Sequence, residues 1–401
     1  MPQPGLGSPG KCARPNAALI NGQEWETVKT IRSPRHAISA RSWARILAAG
    51  GATVSLAAAM AASAPGASAA TWYTTPATTV ADGNTVIAVQ TSGDGLRFYW
   101  NQYGTNTWRG EQVAANGSTF SAPAIAQDGD GVIIAAQGPN NTLDFYWQQD
   151  GATGWHLERV AGTGTTYSAP SLAVNGGGVN IVAQGPANSL DFYWAFNGTS
   201  AWHPELVAAP GTTYSAPAIA ANDGSANVVA EGPRNDLDFY WQQNDTTPWH
   251  PELVAAPGTT YSNPAITAND GSVNVVAQGP QLNPEFYWAQ NGTANWHPES
   301  LPGSDITSSA ITTYTGNRDG VHVVNESLFG TLSVDSAENG SSTWQWQAAH
   351  GEGGAGAAPA ATMNNGSLNI AVFASSGDLD FYWQDSSGTF HQELVSPASL
   401  N

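Results

Sequence analysis

Apolar and polar positions along most of this chain follow one recurring pattern: short apolar runs broken by turn residues, with no window showing a helical period. The stretch from Tyr214 to Glu231 and on to Ala255 is representative. Tyr214 to Ala221, Ala226 to Glu231, Leu237 to Gln242 and Trp249 to Ala255 read as four strands, and Asn222-Asp223-Gly224 and Gly232-Pro233 punctuate the first two boundaries.

The pattern is a repeat. Leu143-Asp144-Phe145-Tyr146-Trp147 returns as Leu190 to Trp194, Leu237 to Trp241 and Leu379 to Trp383, with variants at Leu96 to Trp100 and Pro284 to Trp288. The closing Trp100, Trp147, Trp194, Trp241 and Trp288 are each 47 residues apart. A degenerate copy, Leu332-Ser333-Val334-Asp335-Ser336, comes one residue late, and Trp383 follows Ser336 by 47. The units run 71–117, 118–164, 165–211, 212–258, 259–305, 306–353 and 354–401. Four short strands per unit, repeated in this way, predict an all-β chain: a seven-bladed β-propeller with four-stranded antiparallel blades of about 47 residues. Solenoid stacking would want distinct capping repeats, which this chain lacks. The sequence leaves open whether the ring closes by whole blades or by a donated strand.

Turn chemistry suggests a register for the hairpin between strands three and four. A three-residue loop at Gln149-Asp150-Gly151 pairs Phe145 with Trp155 and Asp144 with His156. The same rule pairs Asp191 with His203, Asp238 with His250, Glu285 with His297 and Asp380 with His391. One face then carries Leu143, Phe145, Trp147 and Trp155 as blade-to-blade core, and the other carries Asp144, Tyr146, His156 and Glu158. The units that lack the acid (Arg97 and Ser333 in its place) also lack the His, as contacting groups would.

That second face admits several chemistries. Asp144, Asp191, Asp238, Glu285 and Asp380 can be structural partners locking the histidines, since half-buried carboxylates need hydrogen bonds. A metal site from Asp, His and Glu has no spacing motif behind it, and Asp128-Gly129-Asp130-Gly131 reads as an ordinary hairpin turn rather than a calcium loop. Neither a metal nor a cofactor is expected. A sugar site needs an aromatic platform beside planar donors and acceptors. The candidates are Trp155, His156 and Glu158; Trp202, His203 and Glu205; Trp249, His250 and Glu252; Trp296, His297 and Glu299; and His391 with Glu393.

Composition narrows the partners once the chain is split near residue 70. Seven of the 12 basic residues and only Glu24 and Glu26 of the 31 acids lie before that point. The remainder has 29 acids against five arginines, formally −24, which argues against nucleic acid and anionic membrane as partners. The single cysteine, Cys12, is also early, leaving the repeats without disulfide or thiolate chemistry. Lys29 to Arg45, the weakly apolar Ile46 to Ala62 and the small residues Ala67-Ser68-Ala69 read as a signal peptide over 28–70, after an extension over 1–27 that is non-structural or untranslated. The repeats are therefore expected outside the cell, with no membrane insertion; a homo-oligomer is compatible.

Ser215-Ala216-Pro217-Ala218, Asp223-Gly224, Val228-Val229-Ala230, Gly232, Leu237, Tyr240-Trp241-Gln242 and Trp249 together resemble the repeat of secreted bacterial seven-bladed propeller lectins of the PLL type. The resemblance covers 71–401 and implies binding of fucosylated or O-methylated glycans at several pockets, often between blades. The His-Pro-Glu strand and the acidity depart from that pattern. The function expected is a multivalent lectin for neutral or weakly charged glycans, without catalysis. The runner-up is an extracellular interaction or cell-surface scaffold. A propeller glycosidase comes third, because its catalytic acids would be unlike residues around one pocket, whereas these recur symmetrically. No nucleophile elbow, phosphate loop or His-Glu-x-x-His is present.

Overall fold

The computed structural model describes residues 74–401 except 102–106, 130, 150, 151, 153, 176, 223, 244–247, 270 and 315–318. The expected leader at 28–70 and the extension at 1–27 lie outside the described residues.

Seven four-stranded antiparallel sheets follow one another along the chain, at 77–114, 124–161, 171–208, 218–255, 265–300, 306–350 and 360–396. Each uses four consecutive strands in sequence order, so every blade is complete within one repeat. In the fourth blade the strands are Ala218–Asn222, Ser225–Glu231, Leu237–Gln243 and His250–Ala255. The first strands of successive blades touch one another in a closed cycle, the last returning to the first, which makes a ring.

The second strand of each blade has an apolar middle because it is covered on both faces; Val228, Val229 and Ala230 are at most 1% exposed. Leu237 and Phe239 pack forward against Val273, Val275 and Tyr287 of the next blade. Tyr240 packs back against Val182, Leu190 and Phe192 of the preceding one. Both faces of the third strand are therefore blade-to-blade core, where the sequence suggested one apolar and one polar face.

Side chains complete the ring where no strand crosses over. Trp108 Nε1 donates to Glu393 at 3.0 Å, Ser92 Oγ to the Asn401 carbonyl at 2.6 Å, and Tyr99 to Ser396 and Asn401 at 3.1 and 3.2 Å. The loops leading into each blade are held similarly. Gln90, Gln137 and Gln184 each donate a side-chain N–H, at 2.6 Å, to the carbonyls of Thr119, Thr166 and Thr213, and Gln278 does so to Ile306. In the fourth blade Glu231 takes this place, accepts from Asn235 at 2.7 Å, and has its carboxyl pushed up by burial. A carboxylate cannot donate to a loop carbonyl. Glu231→Gln is therefore expected to stabilise the protein by about 0.5–1.5 kcal/mol, the net worth of one restored hydrogen bond, read as a higher urea midpoint at unchanged slope.

Candidate functional site

The hairpin between strands three and four has a register three residues away from the one its turn suggests. Trp147 pairs with His156, Phe145 with Glu158 and Asp144 with Arg159; in the third blade Trp194 pairs with His203, Phe192 with Glu205 and Asp191 with Leu206. The Asn197-Gly198 turn forms where expected, closed by Thr199 N–H to the Phe196 carbonyl. Ser200, Ala201 and Trp202 then stay out of the ladder, and the fourth strand starts only at His203. An odd shift moves every fourth-strand side chain to the other face.

The expected acid–His pairs are thus incorrect for Asp144, Asp191, Asp238, Glu285 and Asp380. Asp238 and Asp380 face Leu253 and Leu394, and Glu285 faces Ser300. The contacts these acids make are different ones: Asp144 forms an ion pair with Arg159 at 2.7 Å, and Asp191 accepts from Ser189 at 3.0 Å, Asp380 from Gln392 at 2.9 Å and Glu285 from Asn283. Burial raises the carboxyls of Asp144, Asp191, Asp238 and Asp380, with Asp238 reaching about 6. The histidines instead lie exposed, His156, His203, His250, His297 and His391 stacking on the third-strand tryptophan of their own blade with ring centroids 4.2 or 4.3 Å apart. His391 also meets Asp385 at 2.9 Å, which holds that exposed carboxyl below its usual range.

What the hairpin brings together is a Trp–Glu–Trp clamp across blade junctions. Glu205 accepts from Trp194 of its own blade at 2.9 Å and from Trp249 of the next at 3.1 Å. Glu252 does the same with Trp241 and Trp296, Glu299 with Trp288 and Trp344, and Glu393 with Trp383 and Trp108. At the first junction Glu111 binds Trp155 at 2.8 Å; at the second Glu158 binds Trp147 at 3.0 Å, while the Trp202 indole N–H is buried without a partner. The incoming tryptophan lies edge-on to a phenylalanine of the preceding blade, as Trp202 on Phe145 and Trp249 on Phe192, with centroids 5.1 and 5.0 Å apart.

The clamp is missing at the junction of blades six and seven, where Ser336, Gln347 and Phe390 take the three positions. Gln347 turns to the Gly388 carbonyl at 2.7 Å instead. All three members are lost together. The third-strand tryptophans and Glu111 were missed by sequence reasoning, and this joint loss is the signal that points to them.

Clefts lie beside the glutamates of four junctions, between one blade and the next. The cleft between blades two and three has a volume of about 480 Å³ and is lined by Trp147, Glu158, Gln148 and Asp128 from one blade and Asn197, Thr199 and Trp202 from the next. Equivalent clefts of about 350, 290 and 580 Å³ lie at the first, fourth and fifth junctions. Trp155 backs the first junction without lining its cleft, whereas Trp202 and Trp296 line theirs; the histidines line none of these four. Asn197 of the third blade donates to Asp128 of the second across the cleft mouth; burial raises the Asp128 carboxyl and this bond opposes the rise. Among the described residues no Lys or Arg lines any of the four clefts, and each holds at least one carboxylate. The arrangement offers indole walls with amide and carboxylate groups at fixed positions.

Known structures share this architecture. The BP39L lectin of Burkholderia pseudomallei is 17% identical and matches with a TM-score of 0.72 over 80% of this chain and 98% of its own. AofleA of Arthrobotrys oligospora (15% identity, TM-score 0.52) matches over 70% and 88%, and the SapL1 lectin, solved with α-methyl fucoside (12%, 0.51), over 82% and 97%. At these identities the likeness is one of propeller fold. No family model and no curated protein matches the chain.

Proposed function

We propose that this protein is a secreted multivalent lectin whose ligands are neutral glycans held in the clefts between successive blades. One observation carries the reading: a cleft with indole walls, planar amides and a carboxylate, and with no cation, recurs at four described junctions. A small saccharide fits volumes of this order, apolar ring faces meet indole, and hydroxyls meet amide and carboxylate groups. The absence of Lys and Arg from these walls disfavours sialylated or sulfated ligands. The similar BP39L and SapL1 structures are lectins, and the α-methyl fucoside in the latter supplies a first probe.

The recurrent glutamates support binding rather than catalysis. Where both carboxylate oxygens bind indole N–H groups, the acid is a fixture of the cleft wall, and a glycosidase needs two unlike acids facing each other across one pocket. Within this reading the candidate residues change roles: Trp202 and Trp296 wall the clefts, Glu158, Glu205, Glu252, Glu299 and Glu393 orient the walls, and the histidines back the third-strand tryptophans from outside.

A glycan microarray probed with the mature chain tests the class, and an array without hits would favour the scaffold reading. Calorimetry with a binding saccharide is expected to return more than one and fewer than seven sites per chain, with the junction of blades six and seven empty, and no change on chelation. Repeated weak sites on one ring would raise apparent affinity for clustered glycans. Secretion is tested separately: the N-terminus of exported protein is expected to read Ala70 or Thr71.

A further inference from the structure

We infer that three of the cleft hairpins carry spontaneous deamidation sites, at Asn197, Asn291 and Asn339, and that the reaction lowers the affinity of the clefts they border; the second half rests on the lectin reading. Each is followed by glycine (Gly198, Gly292, Gly340), each pair is exposed, and each glycine holds a left-handed φ of 74°, 72° or 75° at the hairpin tip. The flanking amides are committed: Asn197 and Thr199 N–H bind the Gly177 and Phe196 carbonyls, Asn291 and Thr293 those of Gly271 and Gln290, and Asn339 and Ser341 those of Asp319 and Glu338. Among the described residues the glycine amide between them makes no such backbone bond in any of the three hairpins.

That amide is the nucleophile the reaction needs. Once it gives its proton to water or hydroxide, the Gly198 nitrogen attacks the Asn197 side-chain carbonyl carbon, a C–N bond forms, and ammonia leaves with a proton from solvent. The resulting succinimide takes up one water at either carbonyl and opens to an aspartyl or isoaspartyl residue. No oxidant or second reactant is required. Glycine, lacking a Cβ, leaves the approach unhindered.

The position gives the change its effect. Asn197, Asn291 and Asn339 line the clefts of the second, fourth and fifth junctions. At the second, the Asn197 amide donates to Asp128, so the product replaces a donor with a second carboxylate beside the first. A hydroxyl-bearing ligand then loses a donor and meets a mouth spread by like charges. The fold supplies its own control in Asn116-Gly117, equally exposed and also left-handed at 78°, whose glycine amide is tied to the Gly93 carbonyl at 2.9 Å. Asn365-Gly366 lines none of the four clefts.

The test is to age the folded full chain at mildly alkaline pH and map deamidation by peptide mass spectrometry, then titrate fresh and aged protein with α-methyl fucoside. The expected map has conversion at 197, 291 and 339 clearly ahead of 116; conversion at 116 as fast as at the other three overturns the assignment. Aged protein, and separately Asn197→Asp, should bind the probe with roughly tenfold weaker affinity at the altered clefts, the equivalent of one lost hydrogen bond. Unchanged binding in a converted sample overturns the effect on affinity. If fresh protein fails to bind the fucoside or any other glycan, it is the lectin reading that falls, and the map still decides the chemistry.

Discussion

Asp335→Asn is expected to make the protein about 1–3 kcal/mol more stable than the parent at pH 7, with the advantage gone by about pH 4. Asp335 is fully buried, and burial raises its carboxyl from 3.8 to about 6 against opposing hydrogen bonds from Asn325 and the Gly303 amide. Because the folded value exceeds the unfolded one, the folded state holds the proton between about pH 4 and 6 and the unfolded state does not. Stability from this group therefore falls as pH rises through that window, and a neutral isostere removes the penalty. Asp238, also raised to about 6, acts in the same direction. His322 acts against them: burial lowers it to about 4, so its contribution is lost as pH falls below about 6.5. Opposing groups of similar size make the whole-protein pH profile a poor guide, so the measurement is the difference between variant and parent in urea unfolding at several pH values. A difference that does not shrink on acidification would contradict the assignment.

Glu205→Ala is expected to cost about 2–4 kcal/mol in stability. The carboxylate accepts from Trp194, Trp249 and Gln242 at 2.9, 3.1 and 3.2 Å, so its removal strands three half-buried or buried donors on two blades. Bonds to a charged acceptor are worth more than neutral ones, and orphaned donors carry the larger part of the loss. Gln347→Ala, at the same position of the junction that lacks the clamp, should cost less than about 1 kcal/mol, since Gln347 is exposed and serves only Gly388 and Gln384. Equal losses for the two variants in denaturant unfolding would mean that the clamp is not what distinguishes these junctions.

The blade count and strand number were legible because the 47-residue spacing of Trp100 through Trp288 is a property of the sequence that no packing detail can disturb. Register was not legible, and the reason is local. Asn197-Gly198 reads correctly as a turn, yet turn chemistry says nothing about how soon the strand resumes after it. Trp202 stays outside the ladder because its ring is taken up by Phe145 of another blade, a tertiary contact that a hairpin rule cannot contain. The error then spread to the site: a three-residue shift sent Glu205 from an imagined polar face to the junction with the next blade. The loss of acid and His together in units one and six reflected two diverged repeats. The joint replacement of Trp, Glu and Trp by Ser336, Gln347 and Phe390 across two units was the covariation that marked a contact.

Each clamp joins unlike surfaces, a carboxylate edge on one blade and an indole edge on the next, so the ring is held by the single-chain counterpart of a head-to-tail subunit contact. Contacts of that kind are self-limiting only while the circle is shut; a gap at a clamped junction would bare two complementary ends, each able to take the opposite end of a second copy and so grow a filament. At the junction of blades six and seven Ser336, Gln347 and Phe390 replace those edges, and the contact rests on apolar packing of Val324, Leu332 and Val334 against Leu368, Ile370 and Val372, which carries no such polarity.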